Sequence, residues 1–150
     1  MRNRRTRITV DMEELMVRLL SDEYARSQLY YERPIEVRPE PDVDSADVLP
    51  LVIVGVGQGQ MMGNGGPSLA WTWNVSLSIL HDDEEACSDL ADHTYEMMHT
   101  FHDNGAGIEG VGSVIHVEDV SMPSRTGTYI TPAGGLTQFD GAWTVTVQKF

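Results

Sequence analysis

The sequence predicts a single α+β domain, with a mostly antiparallel sheet of about four strands and two helices packed on one face. Two adjoining stretches indicate this class. Residues 69–80 alternate apolar and polar side chains, the pattern of a strand with one buried and one solvent-facing side. Residues 87–101 repeat apolar side chains at spacings of three and four, the pattern of an amphipathic helix. A chain of 150 residues is long enough to form one such domain with its own core.

The first half of the domain is predicted to contain a helix and a buried strand. Asp11 can cap a helix over residues 11–20, which extends further if it continues through Tyr24 and Leu29. Four prolines between positions 34 and 50 indicate a connector, in which residues 35–37 can add a short edge strand. The β-branched run at 49–56 is typical of a buried strand.

The second half is predicted to continue with a hairpin, a helix and two further strands. Glycines throughout residues 57–68 predict a flexible tip that leads into the strand at 69–80. A helix follows at 82–102, where Asp82 and Glu85 form a capping box and Gly105 lies beyond the end. Strands are then predicted at 114–120 and 139–148. The stretch between them, 121–138, is rich in Gly, Pro, Ser and Thr and is expected to be a long loop.

Charge is distributed unevenly along the chain. The formal net charge is −13, yet four arginines and no acid occupy the first seven residues. We expect residues 1–8 to be a basic flexible arm and residues 9–150 to be the folded domain. The alternative is an arm that binds nucleic acid or an acidic neighbour. The acidic body argues against a protein that wraps nucleic acid, because such proteins need a basic surface.

The sequence contains only weak candidates for nucleotide-binding, metal-binding or catalytic residues. Residues 55–59 lack the spacing of a dinucleotide-binding fingerprint, so a hairpin turn is favoured. Glu96, His99 and His102 lie one turn apart, but without a recognised metal-binding spacing a solvated helix face is favoured over a metal site. Cys87 is the only cysteine, and its place on the apolar stripe favours a buried structural thiol over a nucleophile. We therefore predict no catalytic residue, no metal and no cofactor.

Three further features of the sequence bear on cellular location and on packing. No run of about 18 apolar residues is present, so no transmembrane span is predicted. The basic N-terminus is not followed by an apolar segment, which argues against a secretory signal and favours synthesis in a cytoplasm. Trp71, Trp73 and Trp143 are expected in the core or at an interface, and a ligand-stacking platform is the alternative.

The order of these elements and several local patterns together carry a family resemblance. They lie at residues 11–20, 49–54, 71–80 leading into 82–101, and 117–125 followed by 139–147. The most specific part is Ser-x-Pro-x-Arg at 121–125 with Trp-Thr-Val-Thr-Val at 143–147. On these residues the chain resembles the tail terminator (tail completion) proteins of long-tailed bacteriophages.

The resemblance implies a structural virion protein and not an enzyme. Such proteins form a ring, usually a hexamer, that caps the tail tube, terminates its polymerisation and joins the tail to the head connector. The implied partners are further copies of the chain, the tail tube protein and the head–tail connector protein, with DNA passing through the lumen without specific binding. The implied location is the head-proximal end of the tail, after synthesis in the host cytoplasm, with no membrane association.

Two alternatives stay open: another head–tail joining or minor tail protein, and a small ligand-binding domain or enzyme. The family has no motif that defines contact residues, so these are chosen from the arm, the glycine-rich tip and the loop at 121–138. The predicted subunit or partner contacts are Arg2, Arg4, Arg5, Arg7, Met61, Met62, Asn64, Pro67, Arg125 and Tyr129.

Overall fold

The computed structural model describes residues 10–27, 33–39, 49–61, 70–131 and 134–150. Two helices lie within them, α1 (Met12–Arg26) and α2 (Glu84–Asn104). The strands are β1 (Glu36–Pro39), β2 (Leu51–Val56), β3 (Gln60–Met61), β4 (Ala70–His81), β5 (Gly107–Ile108), β6 (Gly112–Thr131) and β7 (Gly134–Gln148). The α+β class is confirmed, but the described ranges contain seven strands where about four were expected.

All of these strands belong to one sheet with the order β1-β2-β4-β7-β6-β5, and β3 pairs with β4 beyond the end of β2. The β1–β2 pairing is parallel and the other pairings are antiparallel. At the centre, β4 and β7 keep an unbroken register over twelve residue pairs. The sheet is therefore mostly antiparallel, as predicted, and the edge strand expected at 35–37 is present as β1.

The main hydrophobic core contains apolar side chains of both helices and of the sheet. The odd-numbered positions of β4 enter this core, so the predicted alternation of that strand is confirmed. Trp143 of β7 is the largest fully buried side chain. Between the helices, the Tyr24 hydroxyl donates a hydrogen bond of 2.5 Å to Thr94, whose own hydroxyl donates to the Leu90 carbonyl.

The ends of the helices follow capping chemistry with one correction. The Asp11 carboxylate caps α1 as predicted, and the helix continues past residue 20. The cap of α2 is Asp83, which accepts hydrogen bonds from two backbone N–H groups of the first turn. Asp82 was predicted for this role, but it accepts a hydrogen bond of 2.6 Å from Arg33 instead. Gly105 ends α2 with a φ of 59°, in the left-handed region where glycine is favoured.

The prediction of a loop at 121–138 is wrong, because most of these residues belong to strands. β6 continues to residue 131 and β7 begins at 134, so the two form a long hairpin. The register of β6 against β7 shifts at four places: Val114/His116, Asp119/Ser121, Ser121/Ser124 and Arg125/Gly127. Each shift inserts one extra residue in β6, and such bulges accommodate the composition that resembled a loop. The loop predicted at 57–68 is likewise interrupted by β3, and residues 62–69 lie outside the described part.

Candidate interaction surface

Strand β6 forms one margin of the sheet. β5 pairs only with its first two residues, and in the described part of the chain no other strand pairs with the outer edge of β6. Three large apolar side chains of β6 are exposed: Ile115 at 41%, Val120 at 64% and Met122 at 61%. Val120 and Met122 are the two that lie mostly in solvent. Soluble proteins commonly protect sheet edges with charged side chains, so apolar side chains there make this margin a candidate contact surface.

Val120 and Met122 belong to the most irregular part of β6, residues 119–125, which we name the bulged segment. Asp119, Ser121, Ser124 and Arg125 align with residues of β7. Val120 lies in the register shift between Asp119 and Ser121, and Met122 and Pro123 lie in the shift between Ser121 and Ser124. Because a bulge redirects the side chains on either side of it, the two shifts release Val120 and Met122 from the alternation that would direct one strand face into the core.

The first attachment of the bulged segment to the body is Asp119. Its carboxylate accepts hydrogen bonds from the Tyr95 hydroxyl at 2.7 Å and from His99 Nε2 at 2.9 Å, and both donors belong to α2. Burial acts to raise the pKa of Asp119, but these hydrogen bonds outweigh it and hold the pKa below its ordinary value. The bond to the carboxylate also raises the pKa of Tyr95. The ionised form of Asp119 thus ties β6 to α2.

The second attachment is Pro123, which packs over Gly141 of β7. A Cβ built on Gly141 would lie 2.7 Å from the Trp143 ring and 3.1 Å from Cγ of Pro123. Only a glycine therefore lets both rings approach the backbone of β7 so closely. Proline has no backbone N–H to leave unpaired, so it is compatible with a strand at the margin of a sheet.

The third attachment is Arg125, whose guanidinium forms an ion pair with Glu84 in the first turn of α2. Beside it, Asp140 of β7 accepts hydrogen bonds from Thr126 at 2.6 Å and from Gln138 at 3.1 Å. Burial acts to raise the pKa of Asp140, but the hydrogen bonds that the carboxylate accepts lower it overall. Polar contacts thus hold the C-terminal end of the bulged segment against α2 and β7.

Three attachments therefore fix the backbone on both sides of Val120 and Met122. A surface that is ordered before it binds loses less conformational entropy on binding. Earlier on the same margin, the Val117 N–H donates a hydrogen bond of 3.0 Å to Nδ1 of His102. This N–H group therefore cannot pair with another strand. The bulges and this imidazole both oppose backbone pairing at the margin, so recognition there would use side chains.

Of the ten contact residues predicted from sequence, three lie in the described part of the chain. Arg125 forms the third attachment of the bulged segment. Tyr129 is on the same strand, opposite Leu136, whereas Met61 pairs with Trp71 on the far side of β4. The other seven lie outside the described residues: Arg2, Arg4, Arg5, Arg7, Met62, Asn64 and Pro67.

Two residues that sequence analysis did not select, Val120 and Met122, carry the surface. A signal was present, because the apolar positions slip from odd at Val117 to even at Val120, with the charged Asp119 between them. A slip by one residue in a period-two pattern is typical of a bulge. Exposure of the two side chains has no such signal, since it depends on attachments to α2 and β7.

The two histidines considered for a metal site have structural partners. His99 binds Asp119, and His102 binds the backbone of Val117. Within the described ranges, no group of three or more His, Cys, Asp or Glu residues is arranged to hold a metal ion. The Cys87 thiol is buried, as predicted, and lies 3.4 Å from the carbonyl oxygens of Ile79 and Thr137. Burial raises its pKa to about 11.

No model of a known protein family matches this chain, and no curated protein matches it significantly. Neither described helix has the length and apolar character that crossing a membrane requires. Function is therefore inferred from the bulged segment, the charge of the chain and the order of its elements.

Proposed function

We propose that this protein is a structural subunit of a phage tail. It forms a homo-oligomeric ring, a hexamer by the family resemblance, that caps the tail tube, stops tube polymerisation and joins the tail to the head connector. The bulged segment carries the proposal. It contains the Ser-x-Pro-x-Arg pattern, the most specific part of the resemblance, and places two exposed apolar side chains between fixed attachments. Exposing Val120 and Met122 gains nothing for the fold of one subunit, but it serves a protein whose function is to contact others.

The order of elements supports the same proposal. A capped helix, a short edge strand, a buried strand, a long central strand, a second helix and two long final strands follow one another along the chain. The resemblance was based on the same order, with a proline-rich connector before the buried strand, a glycine-rich hairpin tip after it and a long loop before the final strand. In the structure the connector contains a short edge strand, and a hairpin replaces the long loop. The longer hairpin extends the margin that is available for contact between subunits.

The charge of the chain suits a ring through which DNA passes. The net charge is −13, and residues 82–131 contain eleven acids against one arginine. An acidic surface repels the phosphate backbone, so DNA would move past it without being held. The arginine arm and the glycine-rich tip near Met61 remain predicted contacts with the tube or the connector. No cofactor or catalytic residue takes part in this role.

Tube assembly in the presence of the protein tests the proposal. The tail tube protein is allowed to polymerise with and without this chain, and tube ends and lengths are measured by negative-stain electron microscopy. We expect rings at one end of the tubes and an end to further growth, whereas tube protein alone continues to elongate. Tubes of unchanged length with bare ends would contradict tube capping. Rings that bind the connector but not the tube would instead indicate another head–tail joining protein.

A further inference from the structure

We propose that the outer face of α2 binds the arginine-rich arm, residues 1–8, of the same copy. The arm can then contact the tail tube or the connector only after it leaves α2, so the helix competes with those partners. The contact between the arm and α2 does not depend on the proposed function.

The outer face of α2 is a stripe of acids. The helix contains six acids and no lysine or arginine. Five of the acids are exposed and fall within an arc of about 60°, opposite the side that enters the core. We name these five residues the acidic face: Glu85, Asp89, Asp92, Glu96 and Asp103. Like charges at spacings of three and four destabilise a helix, so a cationic partner against this face would relieve their repulsion.

The arginines outside the arm are already paired with other acids. Ten basic residues are present, of which four are the arginines of the arm. The ion pairs of the five described arginines are Arg18–Glu14, Arg26–Glu23, Arg33–Asp82, Arg38–Glu36 and Arg125–Glu84. In the described part of the chain, none of these pairs involves the acidic face. The remaining basic residue is Lys149, which follows β7. The arm therefore holds the largest group of cations that these ion pairs do not use.

The arm begins beside the C-terminal end of α2. Val10 is the first described residue, and a Cβ built on Gly112 at the start of β6 would lie 2.8 Å from its Cγ1. Two residues further along β6, the Val114 N–H donates a hydrogen bond of 2.7 Å to the carbonyl of Ala106, just after the helix. Two residues of strand span about 7 Å. The arm thus starts near the end of α2 that carries Asp103.

The arm is also long enough for the acidic face. The nine residues that precede Val10 reach at most about 30 Å when extended. Arg2 and Arg7 are separated by about 17 Å in an extended chain, which equals the separation of Asp92 and Asp103 along the helix, about 17 Å. Because the arm and the helix belong to one chain, their effective concentration is high, and individually weak ion pairs suffice to hold them together.

Trypsin cleavage measures whether the arm is held, because trypsin cuts after arginine. The full-length protein is digested at physiological ionic strength, and mass spectrometry follows cleavage within residues 1–8. We expect Asp92→Asn/Glu96→Gln to raise the cleavage rate at least about threefold, since proteolysis follows the population of the arm that has left α2. Near 1 M salt, where the screening length is about 3 Å, wild type and variant should be cut at the same rate.

Glu96→Gln and Glu85→Gln form a matched pair, because they make the same change at two exposed positions of the acidic face. Glu85 lies about 17 Å further from the start of the arm, which is about twice the screening length at physiological ionic strength. Glu96→Gln should therefore accelerate cleavage, whereas Glu85→Gln should leave the rate unchanged. Equal rates in wild type and the double variant, or equal effects of the two single substitutions, would overturn the proposal.

Cross-linking identifies which copy binds the arm. Thr100 is an exposed position of α2 beside the acidic face. With a short bismaleimide, we expect Asn3→Cys/Thr100→Cys to form a link within one chain at a yield at least about threefold above that of Asn3→Cys/Ser76→Cys. Ser76 is exposed on the opposite face of the sheet, and the buried Cys87 should not react. Equal yields would overturn the proposal. A covalent dimer as the main product on a denaturing gel would place the arm on a second copy and overturn binding within one copy.

Discussion

Strands β4 and β6 both pair with β7 along most of their length, yet they differ in regularity. β4 keeps one register with β7 over twelve residue pairs and pairs with β2 and β3 on its other side. β6 is 20 residues long, changes register four times and forms a margin of the sheet. The regular strand directs its side chains into the core, whereas the irregular strand places Val120 and Met122 in solvent. Regular pairing on both sides thus maintains the fold, whereas bulges at the margin accompany exposed apolar side chains, which we propose form a contact surface.

The largest expected effect is loss of the tryptophan that lies between the two strands. Trp143 of β7 is fully buried and aligns with Val75 of β4 on one side and with Asp119 of β6 on the other. We expect Trp143→Ala to reduce the free energy of unfolding by about 3–5 kcal/mol, because it leaves a cavity at the centre of the core. Urea unfolding followed by circular dichroism measures the change. Trp73→Ala, at a partly exposed ring, should cost less, and an equal cost would contradict this ranking.

A matched pair of valines compares the two strands directly. Val75 of β4 is 1% exposed, whereas Val120 of β6 is largely in solvent. We expect Val75→Ala to lower the free energy of unfolding by about 2 kcal/mol, since two buried methyl groups are lost. Val120→Ala should change it by less than about 0.5 kcal/mol. Equal costs in the dissociated protein would show that β6 contributes to the core as β4 does.

The attachment of β6 to α2 has a smaller effect that depends on pH. Because the Asp119 side chain is 33% exposed, screening limits the expected cost of Asp119→Asn to about 1 kcal/mol at neutral pH. The pKa of Asp119 in the folded protein lies below its ordinary value of 3.8. Its stabilisation is therefore fully present above pH 3.8 and is lost as pH falls through the lowered pKa.

The measurement compares urea midpoints of the wild type and Asp119→Asn between about pH 7 and about pH 2.5. The difference between the two proteins should be constant down to pH 3.8 and then decrease. Subtraction removes the contribution of the other acids, which titrate in both proteins. A difference that persists to the lowest pH would mean that the Asp119 contacts do not depend on its charge.

The contrast between β4 and β6 also explains how far the sequence predicts the structure. β4 was predicted at 69–80 and observed one residue later, because unbroken pairing keeps apolar side chains at every second position. β6 was predicted to end at residue 120, because each bulge shifts the parity of the side chains and leaves a composition that resembles a loop. Periodicity is therefore readable from a sequence only where the register is constant.

The same limit applies to the candidate surface. Arg125 was selected as part of the loop predicted at 121–138, but its ion pair with Glu84 depends on a helix 41 residues earlier in the chain. Likewise, Asp83 and not Asp82 caps α2, because Asp82 binds Arg33, which lies 49 residues earlier in the chain than Asp82. Long-range partners of this kind leave no local pattern. Exposure of Val120 and Met122 depends on them too, so it becomes visible only in the folded chain.

Hydrogen exchange in the assembled and dissociated protein tests most directly whether the bulged segment, and not the sheet centre, is the contact surface. The dissociated state is obtained by dilution, so both states have the same sequence. On assembly, backbone amides of residues 119–125 should exchange at least about tenfold more slowly, while those of β4 should keep their rates. Unchanged exchange at 119–125, with new protection confined to other parts of the chain, would contradict the role given to the bulged segment.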